Sequence, residues 1–142
     1  YQKRAFLKFK DIRAHANHLI ETFDIRSEKG AETLMRSMSG GNQQKAILGR
    51  EISRAHELLI AVQPTRGLDV GAIEFIHKQL IHERERQKGI LLVSLELDEI
   101  LNLSDRILVM YEGEIVAELD PKQTNHDEIG LYMSGGKRGL KA

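Results

Sequence analysis

The sequence predicts an α/β fold in which a helical lobe precedes part of a mostly parallel sheet. Residues 58–62 and 90–93 are short, continuously apolar runs bounded by polar residues, a pattern typical of strands buried on both faces of a parallel sheet. Residues 72–87 lie between them and repeat apolar side chains at helical spacing, which predicts a parallel crossover unit. The first 35 residues alternate basic, acidic and apolar side chains with the same spacing and predict the helical lobe.

Local signals predict the remaining elements in order. A polar break at residues 28–31 carries a helix-stopping glycine, and a second amphipathic helix is expected over about residues 42–55. The predicted apolar face of that helix consists of Ile47, Leu48, Ile52 and Ala55. The later elements are a short helix (97–103), a strand (106–111), a Glu112-Gly113 turn, a second hairpin strand (114–119) and a last helix ending near residue 133. Thr124 and Asp127 resemble a capping box that opens this last helix.

Composition narrows the possible functions. The chain has 142 residues, which suits one domain, and its 21 basic and 21 acidic residues balance, so no overall field points to nucleic acid or an acidic membrane. There is no cysteine, which excludes disulfides, thiolate metal sites and cysteine nucleophiles. His15 and His18 with Glu21 have a spacing that could hold zinc on a helix, but a solvated surface is the better interpretation because no fixed fourth ligand is evident. Because the chain begins with Tyr1 inside a helical pattern, we expect a piece of a longer protein.

The stretch from Met38 to Lys45, Met-Ser-Gly-Gly-Asn-Gln-Gln-Lys, is the most informative in the chain. A helix N-terminus leaves backbone N–H groups unpaired and carries positive partial charge, and glycines allow a phosphate to approach closely. The alternative is a solvent loop with a good N-cap. A second Met-Ser-Gly-Gly at residues 133–136 precedes only a short basic stretch, which predicts a frayed tail.

In its longer form this stretch resembles the signature motif of ATP-binding-cassette (ABC) ATPases, Leu-Ser-Gly-Gly followed by any residue and Gln. Met38 stands at the Leu position, and Asn-Gln-Gln-Lys looks most like the second ATPase half of tandem importers for sugars and nucleosides. Residues 58–71 are similar to the family's Walker B strand and D-loop, and residues 90–99 to its switch strand. The resemblance implies the C-terminal portion of a P-loop NTPase fold. It also implies a helical subdomain with the signature at residues 1–57 and a partial α/β core at residues 58–142.

Three catalytic positions of that family are altered here. The phosphate cradle, Gly-x-x-x-x-Gly-Lys-Ser/Thr, does not occur in the sequence. By resemblance, Val62 and Gln63 stand where Walker B has its magnesium-supporting Asp and catalytic Glu, and Leu95 stands at the switch His. Val cannot ligate a metal, and a neutral amide cannot act as a base. The site served by these strands is therefore expected not to hydrolyse ATP efficiently.

The resemblance implies a role for the intact signature loop on the partner half. Ser39, Gly40 and Gly41 would bind the γ-phosphate of ATP held by the other ATPase half, together with Asn42, and with Gln43 and Lys45 supporting the loop. The D-loop residues Gly67, Leu68 and Asp69 would lie at the interface between halves.

The same resemblance implies the surroundings of the full-length assembly. It would use ATP and Mg²⁺ at the cytoplasmic face of the membrane, with permease subunits and, indirectly, a solute-binding protein as partners, and without nucleic acid. The fragment alone would be inactive and would bind no cofactor. Two other interpretations stay open: an ABC-like interaction module without nucleotide chemistry, and a soluble ABC ATPase outside transport.

Overall fold

The computed structural model of the protein describes residues 2–3 and 6–137. The chain forms two compact units, Tyr1–Leu91 and Leu92–Ala142. The boundary that the sequence suggests between a helical subdomain and an α/β core, at residues 57 and 58, stays a prediction. Among the described helices, none combines the length and the apolar character needed to cross a bilayer.

The first unit contains the helical lobe and the crossover segment. Its elements are β1 (Gln2–Lys3), β2 (Phe6–Leu7), α1 (Phe9–Thr22), two 3₁₀ turns (Gly30–Glu32 and Met35–Ser37), α2 (Gly40–Ile52), β3 (Leu58–Val62), α3 (Val70–Glu85) and β4 (Gly89–Val93), whose last two residues belong to the second unit. β1 and β2 pair antiparallel, and β3 and β4 form a parallel two-stranded sheet. The parallel strand, helix and strand order is confirmed, whereas the helix expected near the start of the chain is wrong for β1 and β2.

α1 ends earlier than the helical pattern suggests. The chain leaves the helix after Thr22 through a Schellman motif, in which the N–H of Ile25 donates to the carbonyl of Ile20. Asp24 takes the left-handed position of this motif, with φ +46°. The predicted stop at residues 28–31 is thus six or more residues late, because Asp supplies the left-handed residue that is usually Gly.

α2 begins two residues before and ends three residues before its predicted bounds. Of its predicted apolar face, Leu48 is buried, but Ile47 is 44% exposed. Gly49 is also buried on this helix. A Cβ at this position would lie only 2.8 Å from Cδ2 of Phe23, so the close packing there requires glycine or a shift of the ring. The helix therefore packs through its small residue against the aromatic ring that follows α1.

The prediction that β3 is buried on both faces is wrong for the part of the chain that the structure describes. Leu59 and Ala61 are buried, but Leu58, Ile60 and Val62 are between 55% and 61% exposed. Alternate residues of a strand point to opposite faces, and no described residue covers the second face of β3. Exposed apolar rows of this kind typically mark surfaces at which proteins make contacts.

The second unit contains α4 (Leu97–Leu103), β5 (Ile107–Tyr111), β6 (Glu114–Leu119) and α5 (His126–Met133). β5 and β6 pair antiparallel through the predicted turn, in which Glu112 and Gly113 both have positive φ. The core of the unit comprises Ile107, Val109, Val116, Ala117, Ile129 and Tyr132. α5 is capped by Asn125, whose side chain accepts from the N–H of Glu128, so the predicted capping box at Thr124 and Asp127 is one residue out of register.

Candidate phosphate-binding loop

Ser39 caps α2 and leaves the start of the helix open to a ligand. Its backbone is extended, with φ −63° and ψ 156°, and its Oγ accepts from the N–H of Asn42 at 3.5 Å. The next two residues, Gly40 and Gly41, occupy the first helical positions, where N–H groups have no intrahelical acceptor. The loop therefore presents backbone donors and the positive end of a 13-residue helix at one place.

Asn42 fixes the direction in which the Ser39 hydroxyl donates. The Asn42 side-chain amide donates to Ser39 Oγ at 2.9 Å, and Asn42 Oδ1 accepts from the N–H of Arg26 at 2.8 Å. Ser39 Oγ thus accepts from both the backbone and the side chain of Asn42. Because a hydroxyl has one donor and two acceptor sites, its proton is left to donate to an external acceptor such as a phosphate oxygen.

The two glutamines that follow donate side-chain hydrogen bonds to backbone carbonyls. Gln43 Nε2 donates back to the carbonyl of Met38 at 2.9 Å, and Gln44 Nε2 donates to the carbonyl of Pro64 at 3.0 Å. The role in supporting the loop that the sequence suggests for Gln43 stays a prediction. Gln44 thereby connects α2 to the turn after β3. The sequence analysis did not select Gln44, and the only signal for it was its position between Gln43 and Lys45.

Lys45 contacts a neighbouring turn in place of the helix start. Its Nζ donates to the backbone carbonyl and to Oδ2 of Asp24, both at 3.0 Å, and lies 4.5 Å from the ring centroid of Phe75. The hydrogen bond and charge of Lys45 hold the pKa of the Asp24 carboxyl below its ordinary value of 3.8. The formal charge of Lys45 is therefore neutralised by a neighbouring carboxylate.

The predicted D-loop lies directly beside the signature loop. Gly67 has φ +72°, a region that favours glycine, and Asp69 caps α3 by accepting from the N–H of Ala72 at 2.9 Å. A Cβ at Gly40 would lie 3.7 Å from Cδ2 of Leu68, and a Cβ at Gly41 would lie 3.0 Å from the Cβ of Ala72. The N-termini of α2 and α3 thus meet closely, and a side chain at Gly41 would require the two helices to move apart.

The three residues that the sequence predicts at catalytic positions, Val62, Gln63 and Leu95, carry no side chain that can ionise. Val62 is 61% exposed at the end of β3, and Leu95 is 66% exposed in the second unit. Gln63 has φ +49°, an uncommon conformation for a residue with a side chain, and its carbonyl accepts from the N–H of Arg66 at 3.3 Å. None of the three side chains can act as a general base, and neither Val62 nor Leu95 can ligate a metal.

Two features that the sequence singled out do not form sites. No group of three or more His, Cys, Asp or Glu side chains that could hold a metal exists among the described residues, which include His15, His18 and Glu21. The second Met-Ser-Gly-Gly closes α5, because Ser134 is its C-cap and Gly135 has φ +74°. It therefore ends a helix where the first copy begins one. Residues 138–142, which carry the rest of the basic stretch, lie outside the described residues.

Solved structures define the class of protein to which this fold corresponds. A dimeric ABC transporter cassette is similar with a TM-score of 0.67 and 22% identity, covering 84% of this chain and 51% of the cassette. A second structure, a post-hydrolysis state of a dimeric ATP-binding cassette bound to ADP and Pi, gives a TM-score of 0.68 at 22% identity with the same coverage. The fold is that of part of an ABC ATPase cassette.

Sequence relatives identify the family. The guanosine import ATP-binding protein NupO of Bacillus subtilis is 58% identical over 84% of this chain. The nucleoside import ATP-binding protein NupA of Lactococcus lactis subsp. cremoris is 53% identical over 94% of it. The chain spans 23% and 26% of the lengths of these two relatives. No protein-family model matches. The chain belongs to the ABC family of ATP-binding proteins, as its signature stretch predicted.

Proposed function

We propose that this chain is part of the second ATPase half of an ABC importer subunit and that it supplies its signature loop to ATP held by the other half. The observation that carries the proposal is the Ser39 hydroxyl, whose acceptor sites are both used by Asn42 beside the open N-terminus of α2. Such a group donates to a phosphate oxygen, and the N–H groups of Gly40 and Gly41 add further donors. The import names of the relatives favour a nucleoside or a sugar as the transported solute.

In this proposal the chain's own nucleotide site is silent. Val62, Gln63 and Leu95 lack the carboxylates and the imidazole that would support magnesium, act on water and contact the γ-phosphate. The Mg²⁺ and the hydrolytic groups belong to the site formed around the partner's ATP. Permease subunits and a solute-binding protein complete the assembly at the cytoplasmic face of the membrane.

Replacing Ser39 with alanine tests the role in trans. In the full-length protein we expect Ser39→Ala to lower ATP turnover about a hundredfold, since the loss of one positioned donor to developing charge has an effect of that size. Steady-state phosphate release measures it, with Ser37→Ala as the matched control. The Ser37 hydroxyl donates to the carbonyl of Leu34 at 2.8 Å, so its proton is already used within the chain. Turnover within threefold of wild type for Ser39→Ala would contradict the proposal.

Replacing Gln63 with glycine tests the silent site. Glycine removes the amide and suits the positive φ at this position, so we expect the fold to be retained and turnover to stay within about twofold of wild type. The same phosphate-release assay measures it. A fall of more than tenfold with an unchanged circular dichroism spectrum would show that the Gln63 side chain takes part in turnover.

A further inference from the structure

The Lys45 side chain is engaged on three sides within the protein. Only 12% of it is exposed, and its ammonium donates to both the main chain and the carboxylate of Asp24 while lying over the ring of Phe75. An ammonium has three donors, and two of them are used in these bonds. Lys45 is therefore placed to hold protein elements together and is poorly placed to receive a phosphate.

The residue that Lys45 holds sits in an unfavourable backbone conformation. Asp24 is the left-handed residue of the Schellman motif that ends α1, and residues other than glycine adopt this region at a cost. Lys45 bonds to its carbonyl as well as to its carboxylate, so the contact restrains the backbone of the turn and not the side chain alone.

The turn leads directly to the Ser39 hydroxyl. Two residues after Asp24, the N–H of Arg26 donates to Asn42 Oδ1 at 2.8 Å, and the Asn42 amide donates to Ser39 Oγ at 2.9 Å. A shift of the turn would therefore release Asn42, and the Ser39 hydroxyl would lose the partner that directs its proton outward.

The contact also reaches the helix that follows the D-loop. Phe75 belongs to α3, whose N-cap is Asp69, and its ring meets that of Phe23 edge to face at 6.4 Å. From its position on α2, Lys45 thus contacts both the turn that follows α1 and the helix α3.

We propose that Lys45 is a positioning residue, whose ion pair with Asp24 sets the orientation of the Ser39 hydroxyl through Arg26 and Asn42. This inference rests on the proposed role of the signature loop. The lowered pKa of Asp24 supports it, because the hydrogen bond and charge of Lys45 keep the carboxylate ionised to a lower pH than usual. A depressed folded-state pKa gives a contribution that is present above the unfolded value of 3.8 and is lost as the pH falls through the lowered value.

A double-mutant cycle in the full-length protein tests the inference. We expect Lys45→Met and Asp24→Asn each to lower kcat about tenfold with KM for ATP little changed. Both variants misplace a hydroxyl whose bond to the phosphate strengthens in the transition state, whereas in the proposed function the other half holds the ATP. The double variant should be no slower than either single variant, because the two residues act through one contact. Lys45→Arg should recover most of the activity.

The ion pair between Lys88 and Glu57 supplies a matched control. It has the same kind of contact, at 2.9 Å, in the same unit, and Lys88 likewise lowers the pKa of Glu57. Lys88→Met should leave kcat and KM unchanged.

Three outcomes would overturn the inference. A raised KM in Lys45→Met but not in Asp24→Asn would make Lys45 a nucleotide ligand. Additive losses in the double variant would make the two residues independent. Unchanged kcat per folded molecule would leave Lys45 with a role in stability alone. If Ser39→Ala still abolishes turnover in any of these cases, the proposed function stands while the role of Lys45 falls.

Discussion

Replacing Gly40 with aspartate is expected to abolish ATP turnover in the full-length protein, with a loss of at least about a hundredfold. The change places a carboxylate at the first position of α2, where the proposed γ-phosphate approaches, and like charges repel. The fold should tolerate it, because a Cβ at Gly40 makes only an ordinary contact, 3.7 Å from Leu68. An acidic residue in the first turn of a helix is also favourable. Phosphate release and circular dichroism on the purified variant measure the two expectations.

Gly40 is a sharper probe than its neighbour Gly41. A Cβ at Gly41 would lie 3.0 Å from that of Ala72 and 3.7 Å from the Asp69 carboxylate, so a substitution there would also separate α2 from α3. Gly130→Asp is the matched control, since a Cβ at this helical glycine meets no described atom within 4 Å. Gly40→Asp with turnover near that of Gly130→Asp would exclude phosphate binding at the loop.

Replacing Gly49 with alanine is expected to destabilise the chain by about 2 kcal/mol, although alanine is the better helix former. The added Cβ would lie 2.8 Å from Cδ2 and 3.0 Å from Cγ of Phe23. The Phe23 ring is only 4% exposed and packs edge to face on Phe75, so it has little room to move. Urea denaturation followed by circular dichroism measures the change in the free energy of unfolding.

Gly130→Ala provides the comparison for this stability test. It adds the same methyl group to a helical glycine, but into open space among the described residues, so we expect a gain of up to about 1 kcal/mol. If Gly49→Ala were as stabilising as Gly130→Ala, the close contact between α2 and Phe23 would be wrong.

The local sequence pattern was sufficient to predict most helices and strands, because the residues that specify such an element lie within a few positions of one another in the chain. Helical spacing, the Glu112-Gly113 turn and the Ser39 cap predicted α2 to β6 to within three residues at each end. The pairing of β1 with β2 was missed, because those residues continue a helical alternation of charged and apolar types. The cap of α5 was missed by one residue, because Thr124, Asn125 and Asp127 are all good capping residues.

The loop itself could be recognised from sequence, but its supports could not. Ser39, Gly40 and Gly41 are adjacent in the chain, and residues of these types are typical of a helix N-terminus. Their supports come from far along the sequence: Arg26 reaches Asn42 across 16 positions, and Asp24 reaches Lys45 across 21.

The sequence by itself determined that this protein is an ABC-family α/β chain. Residue type and spacing are enough for that conclusion. The assignment of Ser39, Gly40 and Gly41 to a signature loop, and of Val62, Gln63 and Leu95 to altered catalytic positions, stays a prediction. Only the tertiary structure decided what each polar side chain does. In the fold, the Lys45 ammonium bonds to Asp24, and the Asn42 amide donates to the Ser39 hydroxyl oxygen. Hydrogen bonds join whichever groups the fold brings within about 3 Å, and no local pattern specifies that choice.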